Sequence, residues 1–151
     1  MIFRHTFHVQ ASVEAVAAFH RRSDSLQLIT PPPAIVRVHH APPELADGDE
    51  MDFTLWMGPI PVRWLARIEN VTTHGFVDRQ INGPFRAWVH THTFVPLDDG
   101  STEVRDAIEA MPGGGLWNRL LSLGMWLTLP VLFAYRGWRT RQLLTGRAAD
   151  R

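Results

Sequence analysis

Residues 83–94 read GPFRAWVHTHTF, and no other stretch says as much about the fold. Side chains alternate between the two faces of an extended strand. One face therefore carries Trp88, His90, His92 and Phe94. The turn Asp98-Asp99-Gly100 follows, and a second alternating run extends from Ser101 to Met111. The two runs therefore predict an antiparallel hairpin.

The register of this hairpin follows from its turn. If Leu97 faces Ser101, the numbers of paired residues sum to 198. The pairs on one face are then His92 with Asp106, His90 with Ile108, and Phe94 with Val104. The other face carries a charged and hydroxylated set that belongs in water: Glu103, Arg105, Glu109, Thr91 and Thr93. The imidazole and carboxylate cluster is therefore predicted to point inward.

The inward cluster of His90, His92 and Asp106 has three interpretations. A buried imidazole that hydrogen-bonds a carboxylate is a sufficient structural explanation, because an inward Asp106 needs a donor. The same groups can anchor the polar end of a ligand. They are also the candidate catalytic residues for acid–base chemistry. Alternate strand positions place the Cβ atoms of the two His residues roughly 6.5 to 7 Å apart, so both imidazoles could ligate one metal ion together with Asp106.

Bulk composition limits the function. The 151 residues, with 45% hydrophobic content, fit one compact domain over residues 1–151. Fifteen basic and fifteen acidic residues cancel, and a net charge of zero disfavours a nucleic-acid partner. The basic residues are all Arg and there is no Cys, which excludes a lysine Schiff base and a thiolate nucleophile. The lack of Cys and of a secretory-signal pattern in residues 1–7 favours a cytoplasmic protein.

Alternating and helical patterns predict the other elements. Residues 2–10 form a strand, Ser12 caps a first helix, and a second short helix runs from Ser23 to the prolines after Thr30. Four further extended runs are predicted at about 34–41, 49–57, 61–72 and 75–82. With the hairpin, this gives about seven antiparallel strands in a curved sheet that needs a cover.

The C-terminal segment, residues 113–146, is the predicted cover. Sixteen uncharged residues lie between Arg119 and Arg136 in a region rich in helix formers. That run is short of the roughly 18 to 20 residues of a membrane-spanning helix, and Pro130 is expected to divide the segment into two helical pieces. A helix that is apolar on most sides must be buried by protein, by a ligand or by lipid.

Several motifs together resemble one family. They are Thr30-Pro31-Pro32, residues 58–64 (GPIPVRW), residues 76–80 (FVDRQ), residues 83–94, Asp106 with Pro112 and Gly114, and Phe133-Ala134-Tyr135-Arg136. Over nearly the whole chain the sequence is similar to the helix-grip superfamily, also called START-like or Bet v1-like (SRPBCC). Within it, the sequence resembles the bacterial polyketide cyclase/dehydrase-like group.

This resemblance implies an α+β helix-grip fold. A strand, two short helices and six further strands form one curved seven-stranded antiparallel sheet, and a long C-terminal helix lies across it, in β-α-α-β6-α order. The resemblance also implies an apolar tunnel for a lipid-like or polycyclic ligand. It implies no reaction, because one fold can carry many functions.

The predicted sheet turns aromatic side chains toward that tunnel. Trp64 and Trp88 are either ordinary core or the walls of a pocket, and a curved sheet under one helix favours the pocket. The residues expected to contact a ligand are Phe53, Leu55, Trp64, Trp88, His90, His92, Phe94, Asp106, Ile108 and Phe133. Asp78 and Arg79 are expected to form solvated or cross-strand pairs rather than part of a site.

Three functions are compatible with the sequence. The first is binding or transport of a hydrophobic small molecule (a lipid, polyketide or polycyclic compound), with no cofactor, by a monomer or homodimer. The second is a cyclase, dehydratase or isomerase that uses His90, His92 and Asp106 for acid–base chemistry. The third is a membrane-associated accessory domain that touches the membrane surface transiently through residues 116–141.

A group of arginines follows the apolar segment. Its members are Arg136, Arg139, Arg141, Arg147 and Arg151. Cations near a helix C-terminus are favoured by the helix macrodipole. The alternative is that these charges attract anionic lipid.

Overall fold

The computed structural model describes residues 1–145 and contains the predicted order of elements. The elements are β1 (Ile2–Val9), α1 (Val13–Arg21), α2 (Ser25–Leu28), β2 (Ile35–His40), β3 (Glu50–Met57), β4 (Ile60–Thr72), β5 (Gly75–Asn82), β6 (Ala87–Pro96), β7 (Thr102–Met111) and α3 (Gly115–Thr145). The seven-stranded sheet and the long C-terminal helix are therefore confirmed.

All seven strands belong to one antiparallel sheet with the order β1-β7-β6-β5-β4-β3-β2. Strands β6 and β7 pair in the predicted register, with His92 opposite Asp106 and His90 opposite Ile108. A one-residue slip would move every apolar side chain to the wrong face, so the alternation and the short turn together fix this register.

The short helices close one end of the sheet. Ser12 caps α1 as predicted, accepting a hydrogen bond from the Ala15 N–H at 3.3 Å. Helix α2 begins at Ser25 rather than at Ser23. The later start has a local cause, because the Ser23 N–H donates to the Pro43 carbonyl at 3.1 Å and is held by the loop before β3.

Helix α3 is one continuous helix of 31 residues, and the predicted division at Pro130 is wrong. Proline in a helix interior costs about 3 kcal/mol through one lost hydrogen bond and a ring clash. Pro130 is exposed, while the flanking Leu129 and Phe133 are buried in the core. Tertiary packing on both sides of the proline therefore outweighs the local penalty.

The core lies between the sheet and α3. The buried residues of this helix are Ser122, Leu129, Phe133, Gly137, Thr140 and Leu144. A Cβ at Gly137 would lie 3.1 Å from the Phe7 ring, so the glycine lets α3 approach β1 closely. By length and composition alone α3 could also cross a membrane. Only 22% of its most apolar window is buried inside the protein.

Candidate ligand-binding site

A cavity of about 170 Å³ lies between the inner face of the sheet, α2 and α3. Its apolar wall includes Met51, Phe53, Leu55, Trp64, Leu129, Leu132 and Phe133. Pockets for drug-sized ligands usually hold roughly 300 Å³ or more, whereas a dry cavity of roughly 150 Å³ can admit benzene. The structure therefore has room for a molecule of about one ring.

Aromatic rings form one side of this cavity. Trp64 and Trp88 both line it, as predicted, and their rings meet edge to face with centroids 5.3 Å apart. Phe53 stacks on Trp64 with centroids 6.1 Å apart. Such contacts fix the ring orientations, so the wall is rigid and suits a flat apolar ligand.

The predicted hairpin brings two imidazoles to one buried carboxylate. His90 Nε2 lies 3.0 Å from Asp106 Oδ1 and makes a hydrogen bond with it. His92 Nδ1 lies 3.0 Å from the same oxygen, but out of alignment for a hydrogen bond. The two imidazole rings are 3.8 Å apart, and His92 also stacks on Phe76 at 4.4 Å. This packing holds both rings in place.

The ionisation of this cluster follows from burial and proximity. Burial lowers the pKa of His90 and of His92, although Asp106 opposes the change in both. Burial would raise the pKa of Asp106, but its contacts with His90 and His92 outweigh burial and hold that pKa well below its usual range. At neutral pH Asp106 is therefore a carboxylate between two neutral imidazoles. Because a carboxylate only accepts hydrogen bonds, His90 Nε2 carries the proton.

His20 of α1 extends the cluster. Its Nδ1 donates to the Val16 carbonyl at 2.9 Å, and its ring lies 6.0 Å from that of His92. Burial, followed by the proximity of His92, lowers the pKa of His20 to about 4. Three neutral histidines therefore meet at this end of the cavity.

Asp78 and Arg136 complete the polar end of the cavity. Both line it, and both have a buried atom without a hydrogen-bond partner, Asp78 Oδ1 and Arg136 Nε. Burial raises the pKa of Asp78, although His92 and Arg136 oppose this change. Burial lowers the pKa of Arg136, although Asp106 and Asp78 oppose it. The guanidinium stays charged and balances buried carboxylates.

Several solved structures share this architecture. Norcoclaurine synthase from Thalictrum flavum is 16% identical over 97% of this chain and 87% of its own, with a TM-score of 0.70. The Zhui aromatase/cyclase from Streptomyces sp. R1128 is 15% identical over 95% of each chain, with a TM-score of 0.68. Ara h 8.0201 is 10% identical over 93% of this chain and 97% of its own, with a TM-score of 0.61. The chain has the Bet v1-like helix-grip fold.

At these identities the likeness extends to the fold alone. No family model matches the sequence, and no curated protein does. The functional residues of this helix-grip chain must therefore be found from its own geometry.

Seven of the ten residues predicted to contact a ligand line the cavity of the helix-grip fold. They are Phe53, Leu55, Trp64, Trp88, His90, His92 and Phe133. Phe94, Asp106 and Ile108 do not line it, and their predicted placement is corrected: all three are buried beside the cavity wall. Asp106 lies behind the imidazoles that it contacts, so those rings stand between it and a ligand. Whether the seven residues bind a ligand stays a prediction.

Three polar residues that line the cavity, His20, Asp78 and Arg136, were not predicted from the sequence. Asp78 was expected to be solvated or paired, and that prediction is wrong, whereas Arg79 does pair with Glu69 across strands at 3.1 Å. Arg136 was assigned to a surface group with Arg139 and Arg141, but it lines the cavity. Arg147 and Arg151 of that group lie outside the described residues.

Signals for the missed residues were present in the sequence. His20 follows Val13, Val16 and Ala17 at helical spacing and so shares their buried face. Arg136 is three residues after the buried Phe133, on the same side of α3. Asp78 pairs with His90 across β5 and β6, but the irregular connection after Asn82 hides that register in the sequence.

The potential metal-ligand group differs from the predicted one. Ligand atoms of Asp78, His90 and His92 lie within 4.8 Å of one another, so Asp78 takes the place expected for Asp106. Two imidazoles and one carboxylate fit a transition-metal site. The buried cation Arg136 beside them opposes a divalent ion.

Gly75 allows the strands to position His92. Its φ is +145°, and a Cβ there would overlap the His92 carbonyl oxygen. Only glycine fits this backbone conformation and this close approach. Residue 75 therefore helps to set where the imidazole of His92 lies.

Proposed function

We propose that the protein binds a small hydrophobic molecule that carries one polar group, in the cavity beneath α3. The observation that carries this proposal is the division of the cavity into two ends. One end is aromatic and aliphatic, and the other holds Asp78, His92 and Arg136, each with a buried polar atom that lacks a hydrogen-bond partner.

The apolar end supplies most of the binding free energy. Burial of apolar surface contributes roughly 25 cal/mol per Å². A cavity of about 170 Å³ with preformed aromatic walls favours a ligand or a ligand segment of about one ring. A larger polyketide or lipid requires α3 or α2 to move away from the sheet.

The polar end supplies the orientation. An unpartnered buried polar atom costs free energy of about 1 to 3 kcal/mol, which a ligand that provides the partner recovers. Asp78 Oδ1 can accept a hydrogen bond from a ligand hydroxyl, and Arg136 Nε can donate one to a carbonyl or phenolate oxygen. A phenol or a hydroxylated ring therefore fits better than a plain hydrocarbon.

The comparisons support this ligand class by analogy only. The norcoclaurine synthase structure contains dopamine and hydroxybenzaldehyde, which are single rings with hydroxyl groups. A cytoplasmic location is part of the proposal and is supported by the absence of Cys.

A matched pair of probes tests the proposal. Toluene and p-cresol differ by one hydroxyl group, and their binding is measured by calorimetry with the full chain. We expect both to bind, and p-cresol to bind about tenfold tighter, which corresponds to about 1.4 kcal/mol. The Asp78→Leu variant should remove that preference, while the exposed Asp98→Asn variant should keep it.

Two results would overturn the proposal. One is the absence of binding by either probe to the wild-type protein at concentrations that leave it folded. The other is equal binding of both probes that the Asp78 and Asp98 variants do not change. The first result would mean that the cavity binds no ligand of this class. The second would mean that Asp78 does not contribute to binding.

Acid–base catalysis is the second candidate function. His90 donates through Nε2 to Asp106, so its Nδ1 has a free lone pair in a residue that lines the cavity. That nitrogen can accept a proton from a carbon next to a carbonyl, while Arg136 stabilises the enolate oxygen. Proton removal of this kind begins many cyclase, dehydratase and isomerase reactions that act on carbonyl compounds.

Exchange of the α-protons of cyclohexanone in D₂O, followed by NMR, tests this candidate. Catalysis predicts exchange that the His90→Gln variant abolishes while ligand binding is kept. Exchange at the same rate in the wild-type and variant proteins would show that His90 is not the base. Binding of the toluene and p-cresol probes is measured in parallel as the control.

A further inference from the structure

An apolar stripe covers the solvent side of α3. Its members are Leu116, Leu120, Leu127, Val131 and Trp138, which are between 49% and 78% exposed. They recur at intervals of four, seven, four and seven residues, so they lie on one line along the helix. At about 1.5 Å per residue the stripe is roughly 33 Å long. Soluble proteins rarely expose an apolar surface of this length without a partner.

The opposite side of the same helix faces the cavity. Leu129 and Phe133 line the cavity and are buried against the sheet. Helix α3 therefore separates the cavity from whatever covers the stripe. Because this side packs on the sheet, α3 can lie along an apolar surface but cannot be surrounded by one.

The charges of α3 indicate what kind of surface covers the stripe. The helix contains no Asp or Glu, and its charged residues outside the cavity are Arg119, Arg139 and Arg141, because Arg136 lines the cavity. Every acidic residue of the chain except Asp150 precedes α3. A chain with no net charge thus has one helix that is purely cationic, which complements an anionic partner.

A cationic groove continues this surface at the start of α3. It is lined by residues 112–115 together with Arg86, Met111, Leu116 and Arg119. Arg86 and Arg119 are exposed, as are Met111 and Leu116. Two guanidinium groups beside exposed apolar side chains are suited to an anionic headgroup above acyl chains.

We propose that the stripe and this groove dock on the surface of an anionic lipid bilayer. Trp117 and Trp138 are exposed near the two ends of the stripe, and tryptophan favours the boundary between headgroups and acyl chains. A helix with leucine and tryptophan on one side and arginine at its flanks is typical of interfacial binding. The docked helix lies in the plane of the bilayer, with the cavity behind it.

A second copy of the chain fits this surface poorly. Pairing of two α3 helices would bring arginines together without any acidic residue of the helix to compensate them. This inference does not rest on the proposed ligand, because it uses only the exposed side of α3.

Co-sedimentation of the full chain with vesicles tests the docking surface. We expect binding to vesicles of phosphatidylcholine mixed with phosphatidylglycerol at low ionic strength. Binding should weaken as salt is added and should be weak on phosphatidylcholine alone. The double variant Leu127→Gln with Val131→Gln should partition at least roughly tenfold less, because it removes apolar area from the bilayer.

A second double variant, Ile35→Gln with Ile81→Gln, is the matched control. These isoleucines are 63% and 43% exposed but lie on strands, so their loss should leave vesicle binding unchanged. Thermal unfolding of both variants checks that they are folded. No binding by the wild-type chain, or equal loss in both variants, would overturn the proposal. A dimer in sedimentation velocity that only the α3 variant dissociates would assign the stripe to a second copy instead.

Discussion

His90 Nε2 and Asp106 Oδ1 lie 3.0 Å apart in a part of the fold where both side chains are almost fully buried. The contact joins neighbouring strands, since His90 is on β6 and Asp106 is on β7. A buried carboxylate without donors would be very unfavourable, so this contact stabilises the ionised form of Asp106. It also leaves Nδ1 as the nitrogen of His90 that carries no proton.

Replacement of Asp106 by Asn should destabilise the protein by about 1 to 3 kcal/mol, because the charged acceptor of the His90 hydrogen bond becomes a neutral amide oxygen and an NH2 group that needs its own acceptor is buried. The pKa of His90 and of His92 should fall further, since the carboxylate that opposes their lowering is gone. Urea unfolding measures the first effect, and NMR titration of the imidazole signals measures the second. Asp52→Asn, which breaks a pair with the largely exposed Arg63, is the control and should change stability less. Equal losses in the two variants would contradict a special role for the buried pair.

Acidification below pH 6.5 should destabilise the protein. The pKa of His20 is lowered from 6.5 to about 4 by burial and then by His92, so the unfolded chain takes up the proton first. The stability due to neutral His20 is fully present above pH 6.5 and is lost as pH falls toward about 4. At about 1.4 kcal/mol per pKa unit, this amounts to about 3 kcal/mol.

The neighbours of His20 determine the rest of the pH profile. His90 and His92, whose pKa values are lowered, act in the same direction. The pKa of Asp78 is raised, so its protonation in the folded state opposes the loss as pH falls. The lowered pKa of Asp106 removes stability only below about pH 3.8. Urea midpoints between pH 7.5 and 4.5 measure the sum, and His20→Gln should give a shallower profile. An unchanged slope in that variant would exclude His20 as the main group.

Gly75→Ala should destabilise the protein by about 2 kcal/mol or more. The new methyl group would overlap the His92 carbonyl oxygen, and a φ of +145° is strained for any residue with a Cβ. Gly124→Ala is the matched control: it lies in α3 with no atom within 4 Å of its added Cβ, and should be neutral or stabilising by up to about 1 kcal/mol. Thermal unfolding distinguishes the two, and a neutral Gly75→Ala would mean that β5 can move away from β6.

The hairpin shows why much of the fold could be predicted from the sequence. Alternation with a period of two and a short turn fixed one register, so the pairing of His92 with Asp106 followed from residue numbers alone. Pro130 shows the opposite case. Its local propensity predicted a break, but burial of the helix on both sides of it depends on the sheet, which no local pattern contains.

The candidate site was only partly predictable for a related reason. His90 and His92 share one strand, so alternation was enough to place them together. Asp78 reaches them through the pairing of β5 with β6, which the irregular connection between these strands sets. Arg136 was assigned by its charge, but its helical position beside Phe133 places it inside. The missed residues are therefore those whose position depends on contacts between elements that are distant in the sequence.

The five methionines offer the most direct measurement of ligand binding in the cavity. Met51, Met57 and Met125 line the cavity, whereas Met1 and Met111 are exposed elsewhere. In a protein with ¹³C-labelled methionine methyl groups, p-cresol should shift the three cavity signals with one saturating curve and leave Met1 and Met111 unchanged. Shifts confined to Met1 and Met111, or no saturable shift at all, would contradict an internal binding site beneath α3.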